Sequence, residues 1–167
     1  MTTWETLLGI SWPKNACDRS GECCRGATQV APWQTLVVNA AQGNQTARDF
    51  LNQFIPYPHL EAAKASAPHA VEASFAIAEQ RGNPSDEIVF YHCRYLKGQS
   101  ECQIYEDRPE LCRDFPESPF GAIPKCCGYM PITQECLSKI EILRNELEDL
   151  KKQQAMLELE TKKSNTI

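Results

Sequence analysis

No stretch of this sequence approaches the roughly 18 uninterrupted apolar residues that a membrane-spanning helix needs, so no membrane partner is expected. Clustered basic residues are missing too. The formal net charge is -5, and because phosphate binding needs gathered Lys and Arg, nucleic acid is not expected as a partner either. Only a few lysines near the C-terminus depart from this pattern. Histidine is scarce: His59, His69 and His92 are scattered, and no His-Glu-x-x-His arrangement offers an open zinc site. A glycine-rich nucleotide loop is also lacking. The first ten residues, Met1 to Ile10, have no basic region and carry Glu5, so a secretory signal is not expected and the predicted location is cytoplasmic.

What remains is globular composition with one outlier. Hydrophobic residues make up 42% and charged residues 23%, which argues against wholesale disorder, and 167 residues suit one domain with appendages. The outlier is cysteine, with nine copies. In a reducing compartment thiols stay reduced, and clustered cysteines then point to metal more than to disulfides.

Cys17, Cys23 and Cys24 form one block, while Cys93, Cys102, Cys112, Cys126, Cys127 and Cys136 form another. Between them, helix is expected over Ala31 to Ala41, Thr46 to Phe54, and Leu60 to Arg81 with a kink or break at Pro68. Ile55-Pro-Tyr-Pro58 reads as a turn. The β-branched and aromatic run Glu87 to His92 reads as a strand, paired as a hairpin with a short strand around Gln103 to Tyr105 through Lys97 to Ser100. Asp107 is a candidate cap for a short helix starting near Pro109 and carrying Cys112. Carboxylates at Asp86, Glu87, Glu106, Asp107 and Glu110 need no role beyond capping.

After Pro131 a long amphipathic helix is expected. Ile140, Leu147 and Gln154 fall at a positions, and Leu143, Leu150 and Leu157 at d positions, of a short heptad repeat. Residues 161–167 read as a flexible tail. Cys136 continues the d stripe, so it reads as a small core residue.

Eight cysteines remain: Cys17, Cys23, Cys24, Cys93, Cys102, Cys112, Cys126 and Cys127. Eight is the ligand count of two four-thiolate sites, for zinc or for iron-sulfur clusters. Adjacent α-carbons lie about 3.8 Å apart, too close for Cys23-Cys24 or Cys126-Cys127 to bridge readily as a disulfide. In extended chain the members of each pair would point to opposite sides and could serve different metals. Arg25, Arg94, Arg113 and Lys125 each sit beside a cysteine, where a cation would favour the thiolate. His92, next to Cys93, is a weaker ligand candidate.

The segment Cys102-Gln-Ile-Tyr-Glu-Asp-Arg-Pro-Glu-Leu-Cys112-Arg-Asp-Phe-Pro116, with Cys93 before it and Cys17 to Arg25 further upstream, resembles the cysteine-cluster family named for its C-x-x-C-x-x-C-C motif. The resemblance runs from about Cys17 to Cys127 and implies zinc or iron chelation. Ser20 departs from it, standing where the motif has its second cysteine. Some larger relatives include flagellin lysine N-methylases, so the resemblance also admits a role linked to methyl transfer.

The expected architecture is α+β and mostly helical. A metal-organised cysteine-cluster domain spans 1–130, with a short hairpin and a helical insertion over about 31–81. A C-terminal amphipathic helix follows over 131–160. The expected function is metal binding in which zinc or an iron-sulfur cluster is mainly structural. An iron-sulfur redox protein and a coiled-coil adaptor are the alternatives, the latter using the C-terminal helix for homodimerisation or a protein partner. No catalytic constellation stands out on its own.

Overall fold

The structure, a computed structural model, describes residues 3–13, 16–29, 31–82 and 88–164, with side chains as far as residue 158. The chain divides into two compact units, Met1–Trp12 with Ile132–Ile167 and Pro13–Pro131. Helix α1 (Thr3–Leu8) opens the first of these.

The larger unit starts with a single turn, α2 (Glu22–Arg25), and strand β1 (Ala27–Gln29). Helices α3 (Trp33–Ala41) and α4 (Gln45–Gln53) follow where apolar periodicity places them. Asn44 caps α4 by accepting the Ala47 N–H at 2.9 Å, as expected of a short polar side chain at that position. Its buried face carries Ala47, Phe50 and Gln53 at steps of three.

The chain then enters β2 (Phe54–Pro56), α5 (Leu60–Ser66) and α6 (Pro68–Gln80). Pro68 does break the alanine-rich segment, as its missing N–H dictates, and serves as the first residue of α6. Strand β3 (Val89–Cys93) leads into β4 (Leu96–Lys97), β5 (Glu101–Cys102) and the one-turn helix α7 (Glu110–Arg113).

Several local expectations are corrected. Ile55 and Pro56 belong to a strand, where Pro56 is tolerated because β2 lies at a sheet edge. Strand β3 does not form a hairpin with residues 103–105; it is the centre of an antiparallel sheet ordered β1-β3-β2. The hairpin is instead β4 against β5, with Leu96 opposite Cys102. Asp107 does not cap α7, whose first turn is preceded by Pro109 without a side-chain cap. Asp86 and Glu87, at the expected start of β3, lie outside the described residues.

The central position of β3 explains its burial on both faces. Tyr91 and Cys93 join Leu36, Phe50 and Phe54 in the main core. There Phe50 meets Tyr91 edge to face at 4.9 Å, a favourable aromatic arrangement. Phe90, one residue out of phase, packs with Ala63 and Val71 on the other side.

In the smaller unit, α1 packs against the first turns of α8 (Met130–Ser164). Leu8, Ile10 and Cys136 form the cluster, with Trp4, Ile132 and Ile140 around it. Cys136 is fully buried, which agrees with its reading as a core residue. Helix α8 extends to Ser164, so residues 161–164 continue the helix rather than forming a tail, and 165–167 lie outside the described residues. Past α1 the apolar stripe is open: Leu143 is 39%, Leu147 53% and Leu150 61% exposed. Among the described residues no helix is long and apolar enough to cross a membrane.

Candidate metal centre

Cys23 and Cys24 sit side by side on α2, and the way α2 is fastened decides where their sulfurs point. The Glu22 carboxylate is buried, pairing with Arg25 at 2.7 Å and accepting the Ala70 N–H at 3.3 Å in the first turn of α6. Arg25 also donates to the Ser66 carbonyl at 2.9 Å, to the Ser20 carbonyl at 3.3 Å and to the Gln99 carbonyl. Tyr57 closes the arrangement by donating its hydroxyl to the Arg25 carbonyl at 2.8 Å. A turn too short to be stable alone is thereby held by three other segments.

The helical turn corrects the expectation that the paired thiols point apart. Their sulfurs lie 4.0 Å from each other. That contact splits their acidities. The hydrogen bond to Cys24, then burial, then the charges of Cys24, Cys17 and Cys127 hold the Cys23 thiol well above the ordinary thiol value. Accepting that bond lowers Cys24 to about 7 against the cost of burial, with help from Arg108 and then Arg25.

Cys93 ends β3 inside the core. Burial raises its pKa, and two donors oppose this: the backbone N–H of Tyr95 and the side chain of Gln53. The Gln53 amide reaches the Cys93 sulfur at 2.9 Å. Cys112, on α7, is pushed up to about 12, first by burial and then by the negative charges of Cys24, Cys93 and Cys102. Cys24 and Cys112 both pack against the core cluster that contains Cys93.

Cys17 and Cys127 form a second neighbourhood. A Cβ on Gly128 would strike the Ala16 carbonyl, so residues 16–18 pass directly over the 127–128 backbone. Burial raises the Cys127 pKa; the Tyr129 backbone N–H opposes this, and the charges of Asp18, Cys17 and Cys126 add to it. Cys126 itself is exposed. All nine cysteines are free thiols.

One cavity of about 390 Å³ is lined by Cys17, Cys23, Cys24, Cys93, Cys102 and Cys112, with apolar walls from Phe50, Phe54, Leu111 and Phe115. Among the described residues, Arg19 and Arg108 are its only charged lining groups. Each stacks its guanidinium 3.8 Å from the centre of the Tyr105 ring. Cys126 and Cys127 do not line the cavity. Among the described residues, no three or more His, Cys, Asp or Glu side chains are arranged to hold a metal ion.

The cations chosen by sequence adjacency mostly have other work. Arg94 donates to the Leu51 carbonyl at 3.2 Å, Arg113 to the Arg108 and Glu106 carbonyls, and Lys125 pairs with Glu72 at 2.6 Å. Only Arg25 of the four bears on Cys24, and Arg108 bears on it more. Nor do the histidines join the thiols. His59 caps α5 by accepting the Ala62 N–H at 3.2 Å, and His92 packs against Tyr57 at 5.0 Å.

A match to a family model covers residues 16–128, more than half of the chain, and its description is "CxxCxxCC: Putative zinc- or iron-chelating domain". The chain belongs to this family. No curated protein and no solved structure matches it significantly.

The donor set suits such a metal. Soft thiolates select zinc and iron-sulfur chemistry, and the Gln53 and Tyr95 N–H groups aimed at Cys93 are the donors that a charged thiolate site needs around it. Among the described residues the sulfurs form no finished cage, and where a preformed site is lacking, metal binding is coupled to rearrangement of the chain.

Proposed function

We propose that this member of the CxxCxxCC family binds zinc or iron through thiolates from Cys17, Cys23, Cys24, Cys93, Cys102, Cys112, Cys126 and Cys127, and that the metal's role is structural. The observation that carries this is one cavity lined by six of these thiols, contributed by segments as far apart as Cys17 and Cys112. When bound, the metal cross-links these segments, and its binding energy becomes folding energy. Cys24, Cys93, Cys102 and Cys112 supply one set of four. Gln53 and Tyr95 orient and stabilise Cys93, while α2 presents Cys24 beside Arg108.

Anaerobic purification followed by elemental analysis and an absorbance spectrum tests the reading. A colourless protein with stoichiometric zinc, or a brown one with iron and sulfide, supports it and names the metal. Protein that carries neither, and does not gain thermal stability on adding either metal, refutes it.

A second reading concerns α8. Its exposed Leu143, Leu147 and Leu150 make an apolar stripe with heptad spacing. In a parallel pair with a second copy, Glu146 would face Lys151 across the seam. This reading assigns homodimerisation to α8, and analytical ultracentrifugation of the full chain beside Leu147→Glu tests it: a dimer lost in the variant supports it, and a monomer at every concentration removes it.

A further inference from the structure

Helix α8 carries its apolar stripe through two environments. At its start α1 covers the stripe, with Leu8 and Ile10 packed against Cys136 and Ile140. Lys139 closes that end: its ammonium pairs with Glu135 at 3.3 Å and donates to the Leu8 carbonyl at 3.2 Å. From Leu143 onward the stripe is exposed, at Leu143, Leu147, Leu150 and Leu157, and Gln154 interrupts it at an a position. A second helix can therefore reach the seam only where α1 stops.

The charges beside the seam distinguish the ways in which a second copy can lie on it. In heptad order Glu146 is a g residue, while Arg144 and Lys151 are e residues. Among the described residues Glu146 has no ion pair or hydrogen bond. Lys151 pairs with Glu148 at 3.2 Å, both side chains being exposed, and such a pair contributes little and exchanges readily. In a parallel, in-register pair each Glu146 meets the second copy's Lys151, twice by symmetry. In the antiparallel alignment that buries the same leucines, e residues face e residues. Arg144 then meets the second copy's Lys151, again twice, and the like charges repel. Gln154 discriminates in the same sense. In the parallel pair it faces Gln154 of the second copy, whereas the antiparallel pair sets its amide against Leu143, where it finds no partner. The Gln154 amide already donates to Glu158 at 3.1 Å, which leaves its carbonyl oxygen and its second N–H for a partner amide.

Resting on the homodimer reading of α8 above, we infer that the exposed stripe is occupied by a second copy of this chain laid parallel and in register, with Glu146 and Lys151 setting the direction and paired Gln154 amides setting the alignment. The leucines supply the association energy. The polar groups select among its geometries, since a polar residue at a single a position fixes register and oligomer state at a cost in stability, and e and g charges fix orientation. The seam begins at Leu143 because α1 and Lys139 already hold the turns before it.

Sedimentation equilibrium of the full chain and its variants is the test. Lys151→Glu is expected to weaken the dimer about tenfold, because two attractive pairs become repulsive, and Glu146→Lys to do the same. Mixing the two single variants in equal amounts places opposite charges on both flanks again, and the mixed dimer should return to within about threefold of the parent affinity. Simple damage to α8 would not be repaired by mixing. Gln154→Leu should admit species larger than a dimer, and a variant that stays strictly dimeric at unchanged affinity overturns the role given to Gln154. A Lys151→Glu dimer tighter than the parent overturns the inference, because the substituted side chain then faces Arg144 as in the antiparallel pair. Mixed variants that associate no better than either alone overturn it too. A chain that is monomeric at every concentration removes the homodimer reading itself, and the inference with it, so failure of the orientation and failure of the dimer are distinct results.

Discussion

Gln53 donates its side-chain amide to the sulfur of Cys93 across 2.9 Å, in a buried contact between residues 40 apart in sequence. A neutral donor at this point stabilises the thiolate without adding a charge to the core. Gln53→Leu removes the donor and keeps the bulk. Metal affinity at the four-thiol group is expected to fall by about ten- to hundredfold, the usual effect of losing a partner that supports a ligand. Competition against a chromophoric chelator measures it, and an unchanged affinity would reduce the contact to packing.

Metal-free protein should show the difference in acidity between Cys24 and Cys112 directly. Cys24 is lowered to about 7 by its bond from Cys23, while Cys112 is pushed up to about 12 by burial. Only the thiolate reacts with iodoacetamide. Raising the pH from 6 to 8 therefore carries Cys24 through its midpoint and leaves Cys112 protonated. Peptide mass spectrometry should show Cys24 labelled with a midpoint near 7 and Cys112 essentially unlabelled over the same range. Equal labelling of the two would contradict the assigned geometry.

How legible all this was depends on the length of each element. Helices α3, α4, α6 and α8 carry several turns of periodic apolar residues, and that signal is strong enough to place them. Strands β1 and β2 have three residues each and acquire identity only by pairing with β3, more than thirty residues away. Nothing local marks such strands. The cysteines announced themselves by number and clustering, but their grouping depends on α2 being helical. Gln53 was missed because a glutamine in an amphipathic helix reads as solvent-facing; its position three residues after Phe50, on the buried face, was the available clue. Arg108 was overlooked for a similar reason, since it touches no cysteine in sequence.

Arg108 offers a test of that last point. It stacks on Tyr105 opposite Arg19 and donates to the Tyr105 carbonyl at 2.9 Å, so its charge is held at the cavity wall. Among the cations that lower Cys24 it comes before Arg25. Arg108→Gln removes the charge, and the Cys24 labelling midpoint is expected to move up toward the ordinary thiol value. Arg113→Gln is the contrasting variant: Arg113 is spent on carbonyls, and the midpoint should stay near 7. A shift of equal size in both variants would mean that loop disorder, and not charge, controls the thiol.

The close approaches that bring the thiol-bearing segments together predict where the fold tolerates no side chain. A Cβ at Gly21 would strike the Gln99 carbonyl, and φ is +74 there, a left-handed conformation that costs an L-residue about 1–2 kcal/mol before any collision. A Cβ at Gly26 would strike the Ala70 Cβ in α6. Overpacking of this kind costs about 1–3 kcal/mol. Gly21→Ala should therefore destabilise the protein more than Gly26→Ala in urea unfolding. Gly121→Ala should be nearly silent, within about 0.5 kcal/mol, because a Cβ there would meet nothing within 4 Å among the described residues and its φ is unexceptional. The ordering carries the argument: since Gly21 sets the entry to α2, its substitution should also perturb the labelling of Cys24, whereas a stability loss at Gly26 that left both thiols unchanged would show that the α2-α6 contact supports the fold without setting the sulfurs.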